Sequence, residues 1–131
     1  MSIAPHGGEL INRILTGTAL EAAKAKAPGL ARLKVDTYTA FDIDGIAKGL
    51  FSPLKGFMNA AETRHVLDHM HLRPGIPWTI PILLAASQED ADRLQAGSEV
   101  AIEDDRGVLV AILHLSEKFS VDKNDLAQKV Y

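Results

Sequence analysis

A chain of 131 residues has the size of one domain, and its 47% apolar residues are enough to build a hydrophobic core. Fourteen basic and seventeen acidic residues leave a net charge of -3 without a basic stripe, which argues against a nucleic-acid binder. The absence of cysteine excludes disulfides and thiolate metal sites and is compatible with a reducing cytoplasm, which is the expected compartment. No apolar run has transmembrane length and the first residues do not form a secretory signal, so no membrane association is expected.

The first part of the chain is predicted to form a turn and two short helices. Residues 5–8 favour a turn because two glycines follow a proline and a histidine. Apolar residues at helical spacing predict a helix over Glu9–Leu15 that ends at Gly17. A second helix is predicted over Glu21–Ala27, where the Pro28-Gly29 pair stops it.

A strand and a third helix are predicted next. The segment Leu33–Thr39 is rich in residues that favour strands. A short helix is predicted over Asp42–Lys48, with Gly49 as a left-handed residue at its end. We assign Asp42 and Asp44 to the first turn of this helix, where a carboxylate offsets the exposed amides and the helix dipole.

A fourth helix and a further strand follow an apolar loop. Asn59 is a good N-cap, and Glu62 three residues later completes a capping box for a helix that runs to about Met70. The continuous apolar run Trp78–Ala85 predicts a strand. Because prolines lie before and within this run and cannot donate ladder hydrogen bonds, we place the strand at a sheet edge or at a bulge.

The last third of the chain is predicted to contain a β-hairpin between two helices. Ser87 caps a helix that extends through Leu94. Strands are predicted over Ser98–Glu103 and Val108–Leu115. The loop that joins them contains the aspartate and glycine residues common in hairpin turns. The second of these strands is apolar on both faces, which predicts a central position covered on both sides. A final short helix is predicted over Asp122–Val130.

This order of strands and short helices has no regular βαβ alternation, no internal repeat and no low-complexity tract. It therefore favours the α+β class, with a small curled sheet or barrel, over a doubly wound sheet. The whole chain, residues 1–131, is predicted to be a single domain.

The loop over residues 49–58 is the most informative stretch. Its two glycines and its proline break regular structure, yet most of its other residues are apolar. An apolar loop has to be buried, or else it forms a patch for a partner. The loop is thus either an ordered connection pinned to the core or an interface for another domain. Its large apolar residues are Leu50, Phe51, Leu54, Phe57 and Met58.

The histidines suggest a metal site only weakly. His65 and His69 are four residues apart on one predicted helix, with His71 just beyond. The glutamate of the metalloprotease pattern is absent, so a polar, solvated helix face is the better interpretation. We interpret His6 as a turn residue bonded to the backbone. His114 ends a predicted buried strand and is interpreted as a satisfied core or interface residue.

The remaining polar motifs do not assemble a catalytic set. Asp104 and Asp105 form an acidic hairpin tip that is expected to face solvent, without the ligand spacing of a calcium loop. The glycine pair at 7–8 is too short to cradle a phosphate. Asp122 and Asp125 are assigned to a helix N-terminus. No serine lies in a nucleophile elbow, and we predict no catalytic, cofactor-binding or metal-binding residue in this chain.

Several stretches, in order from residue 5 to residue 131, together resemble the ATP sulfurylase (sulfate adenylyltransferase) family. Residues 49–58, G-L-F-S-P-L-K-G-F-M, are similar to that family's G-x-[FY]-S-P-L-x-G-F-M. His71 stands where that family usually has arginine, and Thr79 where it usually has proline. The other matching stretches are P-H-G-G at 5–8, M-H-L-R-P-G at 70–75, W-T-I-P-I at 78–82, the hairpin at 100–113, D-K at 122–123 and K-V-Y at 129–131.

The resemblance implies an N-terminal domain with a PUA-like fold, a small curled mixed sheet or β-barrel decorated by short helices. The parent enzyme joins sulfate to ATP, with Mg²⁺ as the counter-ion, and gives adenosine 5′-phosphosulfate and pyrophosphate. In the family the reacting groups lie on a Gln-x-Arg-Asn-Pro motif and a His-x-x-His motif of the following domain. This sequence contains neither motif. The resemblance therefore implies a structural domain without cofactors of its own that is inactive alone.

The expected partners are the catalytic domain and further subunits of a homo-oligomer. We expect two segments to meet the catalytic domain, the turn at residues 5–8 and the loop that starts at Phe51. The alternative function is a stand-alone PUA-like module that binds RNA or a protein, and the net charge of -3 counts against RNA. The candidate interface residues are Pro5, His6, Gly7, Gly8, Phe51, Ser52, Pro53, Leu54, Gly56, Phe57 and Met58.

Overall fold

The computed structural model describes residues 10–73, 76–78 and 80–121. These residues form four α-helices, five β-strands and one 3-10 turn, so the predicted α+β class is confirmed. The helices are α1 (Gly17–Lys26), α2 (Thr37–Lys48), α3 (Ala60–His69) and α4 (Gln88–Arg93). The strands are β1 (Ala31–Lys34), β2 (His71–Arg73), β3 (Ile76–Pro77), β4 (Glu99–Glu103) and β5 (Leu109–His114). Each described helix is too short or too polar for a membrane span.

The main sheet is mixed and has the strand order β1-β4-β5. Strand β1 pairs parallel with β4 and places Leu33 opposite Ile102. Strand β5 pairs antiparallel with β4 as the second arm of the hairpin. The larger hydrophobic core lies at this sheet, where apolar side chains from α2, from the residue that ends α4 and from the strands meet. Its buried members are Leu33, Val35, Leu94, Val100 and Ile102.

The prediction that the second hairpin strand is central was wrong. The central strand is β4, whose residues Val100, Ala101 and Ile102 are each at most 1% exposed. Strand β5 lies at the end of the three-strand order, and its inner residues are only half-buried. Strand β5 is apolar on two faces, whereas β4 has Glu99 and Glu103 on one face, so the pattern of apolar faces favoured the wrong strand.

The predicted strand over Leu33–Thr39 ends early, and α2 begins earlier than expected. The Asp36 side chain accepts the backbone N–H of Thr39 at 2.8 Å and so caps the helix that starts at Thr37. This cap outweighs the strand preference of the residues that follow. Asp42 and Asp44 therefore lie within the helix and not at its N-terminus, and Asp44 forms an ion pair with Lys48 at 2.9 Å.

Two further predicted elements are wrong in the described part of the chain. Residues 10–16 have no regular secondary structure, and helix α1 begins at Gly17, where a helix was expected to end. Residues 80–86 are also irregular, and only the short strand β3 forms in that region, paired with β2. Pro81 provides no N–H for a ladder, and residues 81–84 are half-buried without joining a sheet. The predicted helix Asp122–Val130 lies outside the described residues.

Three predicted helix and turn signals are confirmed. Asn59 and Glu62 form a reciprocal capping box at the start of α3. Ser87 accepts the backbone N–H of Asp90 and caps α4. Gly49 ends α2 in the left-handed conformation, with φ of 87°. Local hydrogen bonds decide these positions, which is why the sequence alone identifies them.

The tip of the hairpin differs from the expectation in one residue. Asp105 is exposed, as predicted, but Asp104 is only 8% exposed. The Asp104 carboxylate accepts the backbone N–H groups of Arg106 and Val108, and Arg106 also donates from its guanidinium at 2.9 Å. The hydrogen bond from Val108, followed by those from Arg106, lowers the pKa of Asp104 below its ordinary value of 3.8. Asp104 therefore organises the turn and is not a solvent-facing charge.

We expect Asn59→Ala to lower the free energy of unfolding by about 1 kcal/mol, because it removes the capping-box hydrogen bond that the Asn59 side chain accepts. Urea denaturation measures this difference. The matched control is Thr16→Ala, since Thr16 is the N-cap of α1 but makes no side-chain capping bond. Equal losses for the two variants would contradict the role assigned to Asn59.

We expect Asp104→Asn to reduce the thermal stability at neutral pH and to flatten the loss of stability in acid. A carboxyl with a lowered folded-state pKa stabilises the fold above its ordinary pKa of 3.8, and this contribution is lost as the pH falls below that value. Melting temperatures between pH 7 and acid test the sign. Asp105→Asn is the control, and an unchanged acid dependence in Asp104→Asn would refute the assignment.

Candidate interdomain surface

The loop over residues 49–58 links the end of α2 to the cap of α3 and contributes to the smaller hydrophobic core. Leu54 and Met58 are buried against Val66 of α3. The backbone N–H of Met58 donates to the carbonyl of Ile82 at 2.9 Å, which attaches the irregular apolar segment to the same core. The half-buried side chains packed on this cluster are Phe51, Leu72, Trp78, Ile82 and Leu83.

Ser52 fastens the loop to the segment before α1. Its side chain is 3% exposed, and its hydroxyl accepts the backbone N–H of Ile11 at 3.0 Å. The same hydroxyl donates to the carbonyl of Gly49 at 2.6 Å. Both hydrogen-bonding capacities of this buried group are used, as expected of a structural serine. A backbone bond from Arg13 to the carbonyl of Ala47 at 2.8 Å fixes the same N-terminal segment to the last turn of α2.

Gly49 has to be glycine for two independent reasons. Its φ of 87° lies in the left-handed region, which side chains disfavour. A Cβ atom at this position would also clash with the carbonyl oxygen of Ile11 and would lie 2.7 Å from a methyl carbon of Leu10. The close approach of the two segments therefore depends on the missing side chain.

The loop has an inner and an outer half. Ser52, Leu54 and Met58 point inward and are buried, so the loop is pinned to the core. The outer half borders an open hollow of about 370 Å³ beside α3. Phe51, Pro53, Gly56 and Phe57 are half-buried and Lys55 is exposed. The hollow is lined by Pro53, Leu54, Lys55, Gly56, Phe57, Glu62 and Leu72.

Sequence reasoning named Leu50 within the loop but missed exposed apolar residues outside it. Leu50 is 80% exposed and Leu10 is 66% exposed, and both lie at the C-terminal end of α2. On the same helix, Phe41 and Tyr38 are 68% and 81% exposed at i, i+3 spacing. Exposed apolar groups at several adjacent positions are typical of a contact surface. The sequence prediction missed this face because it began the helix too late. A helix that starts at residue 37 places both aromatic residues on one outward face.

The predicted turn at residues 5–8 lies outside the described residues, so the interface prediction for Pro5, His6, Gly7 and Gly8 stays a prediction. The interface role of the loop residues is likewise a prediction. What the structure adds is the separation of the inward residues from the outward ones, because only the outward half of the loop is available to another domain.

The histidines are arranged differently from the expectation. His65 and His69 lie on α3 as predicted, but His71 joins them, and His65 Nε2 lies 3.1 Å from His71 Nδ1. The ring centroids are 4.8 to 5.8 Å apart. In the described ranges, no three ligand side chains are already arranged to hold a metal ion. His114, which was expected at the buried end of a strand, is exposed and lies opposite Glu99.

The comparisons with known proteins agree with the expected family. Residues 3–131 match the family model described as a PUA-like domain. The sulfate adenylyltransferase of Acaryochloris marina is 43% identical over 130 residues, which are 99% of this chain and 34% of that protein. The probable bifunctional SAT/APS kinase 2 of Sorangium cellulosum is 43% identical over 98% of this chain and 22% of its own length. The chain thus spans about a third or less of these relatives.

A solved structure shares this fold. The hexameric APS kinase from Thiobacillus denitrificans aligns with a TM-score of 0.82 and 32% sequence identity over 92% of this chain. The alignment covers 24% of that protein. Together with the family match, it confirms the expected PUA-like architecture, and the curated relatives confirm the resemblance to sulfate adenylyltransferases.

We expect Gly49→Ala to lower the free energy of unfolding by about 2 kcal/mol or more, because strain from positive φ and a clash with Ile11 act together. Chemical denaturation measures the change. Gly56→Ala in the same loop is the control, since a Cβ atom there meets no atom within 4 Å and its φ is not positive. A loss for Gly49→Ala no larger than that of the control would show that the two segments do not depend on this contact.

Proposed function

The chain belongs to the PUA-like domain family, and we propose that it serves as the non-catalytic N-terminal domain of a sulfate adenylyltransferase. The parent enzyme would join sulfate to ATP and release pyrophosphate, giving adenosine 5′-phosphosulfate. The observation that carries this proposal is one of length: nearly all of this chain matches relatives of that name, yet it accounts for only about a third of them. The remaining two thirds would supply the reaction.

The sequence supports this division. It lacks the Arg-Asn-Pro and His-x-x-His motifs that the resemblance assigns to the reacting groups. Adenylyl transfer needs cationic groups held around the phosphates. Arg32, Arg93 and Arg106 are engaged elsewhere, each in an ion pair with a carboxylate of the same sheet, helix or turn. ATP and its Mg²⁺ therefore belong, in this proposal, to the rest of the parent enzyme.

We assign contact with the catalytic portion to the outer half of the loop together with Leu10, Leu50 and Phe41. Their exposed apolar area would be removed from water by a neighbouring domain, which stabilises the contact. Interfaces between domains of one chain commonly bury about 600 to 1,500 Å². A patch of this kind beside a rigidly anchored loop presents a fixed shape to the second domain.

The proposed role also carries an expectation for the oligomeric state and one for the cellular location. The hexameric state in the description of the Thiobacillus denitrificans protein makes contacts between subunits part of the proposal. A cytoplasmic location fits a reaction that consumes ATP and a chain without cysteine.

We expect the isolated chain to form no ATP from adenosine 5′-phosphosulfate and pyrophosphate, because the groups that would act on the phosphates lie on the other portion. The assay is run with the chain alone, with the catalytic portion of a relative alone, and with both together. Restored or increased turnover in the mixture supports the proposal. Turnover by the chain alone would overturn it.

The same assay tests the assigned surface. Leu50→Asp should weaken the association with the catalytic portion about tenfold or more, because it buries a charge at the contact. Leu50 is 80% exposed, so the substitution should leave the fold intact. Val108→Asp, at an exposed site on the hairpin, is the matched control. Equal effects of the two variants would exclude this face as the contact.

A further inference from the structure

The three histidines meet where α3 ends and β2 begins. His65 and His69 are one turn apart on the helix, and Met70 closes the helix with a left-handed φ of 57°. This conformation redirects the chain, and His71 then enters β2, where it pairs with Pro77 of β3. The helix holds the backbone of His65 and His69, and the pairing of β2 with β3 holds that of His71. Their proximity therefore does not depend on a mobile loop.

The separation of two ring nitrogens suits a shared metal ion. His65 Nε2 and His71 Nδ1 lie 3.1 Å apart. Two nitrogens bound to one tetrahedral zinc ion at about 2.0 to 2.1 Å from the metal are about 3.3 Å apart. Without a metal the two nitrogens can share a proton. A metal ion could replace that proton with only a small adjustment of the two rings.

His69 can provide the third nitrogen. Its ring centroid is 4.8 Å from that of His65 and 5.8 Å from that of His71, and its side chain is exposed. Since no three ligands of the described residues are already in place, binding requires the His69 side chain to rotate. Histidines at i and i+4 on one helix face are a general metal-binding pair, so the required rotation is between ordinary rotamers.

The charges around the cluster are compatible with a cation. On the same helix, Arg64 and Asp68 form an ion pair with each other at 3.6 Å, which leaves their combined charge near zero. The ligands are imidazoles without thiolates, a set that suits Zn²⁺, Ni²⁺ and Cu²⁺. Water would complete the coordination at this surface position.

We infer that His65, His69 and His71 form a surface site for a divalent transition-metal ion of the imidazole-binding class. The site uses residues outside the proposed apolar contact surface and is not part of the proposed role in the parent enzyme. It revises the sequence-based interpretation of a merely solvated helix face, because the left-handed Met70 brings His71 against the helix.

Calorimetric titration of the metal-free chain with NiCl₂ and with ZnCl₂ tests the inference. We expect saturable binding of one ion per chain, weakened at least about tenfold by His65→Gln and also weakened by His69→Gln. Acid should reduce the affinity, because protons compete for the same nitrogens. His69 is exposed, so its variant should fold normally even if His65→Gln does not.

His114→Gln is the matched control, because His114 is exposed on β5 and lies outside the cluster. It should retain the affinity of the unmodified chain. Histidine ring nitrogen shifts in NMR spectra should change on metal addition for residues 65, 69 and 71. The absence of saturable binding, or binding that both His65→Gln and His69→Gln leave unchanged, would overturn the inference.

Discussion

The contact of the segment before α1 with the loop after α2 is the constraint on which the rest of the described structure depends. The Ser52 hydroxyl bridges Ile11 and Gly49, and the missing side chain of Gly49 lets the two backbones approach. A buried hydroxyl that lost either partner would cost about 1 to 3 kcal/mol. This junction fixes where the loop leaves α2, and it therefore also fixes which loop side chains reach α3.

The junction explains how a stretch this apolar can both stabilise the domain and leave a surface for contact. Leu54 and Met58 are placed against Val66 and complete the smaller core. Leu50 falls on the opposite side and stays 80% exposed. The two interpretations left open at the level of sequence, a pinned connection and an interface, thus describe opposite faces of one loop: the structure demonstrates the pinned face, and the interface remains our proposal.

Two of the errors in the predicted elements have identifiable local causes. Thr37–Thr39 favours a strand by composition, but the Asp36 cap begins a helix there. The apolar run from Trp78 looked like a strand, but Pro81 lacks a ladder donor, and the half-buried Trp78, Ile82 and Leu83 pack on the smaller core instead. For the candidate site, the sequence motif identified the loop. The outward aromatic residues of α2 required the correct start of that helix, and the meeting of His71 with His65 could not be read from spacing.

The amino-acid sequence by itself determined the α+β class, the capping of α3 and α4, the end of α2 at Gly49 and the family resemblance, because neighbouring residues or short motifs carry each of these. Only the tertiary structure decided that β4 is central, that Ser52 binds Ile11 across 41 positions, and that three imidazoles converge. These features arise between segments far apart in the chain or across a change in chain direction, where packing and backbone conformation outweigh local preference.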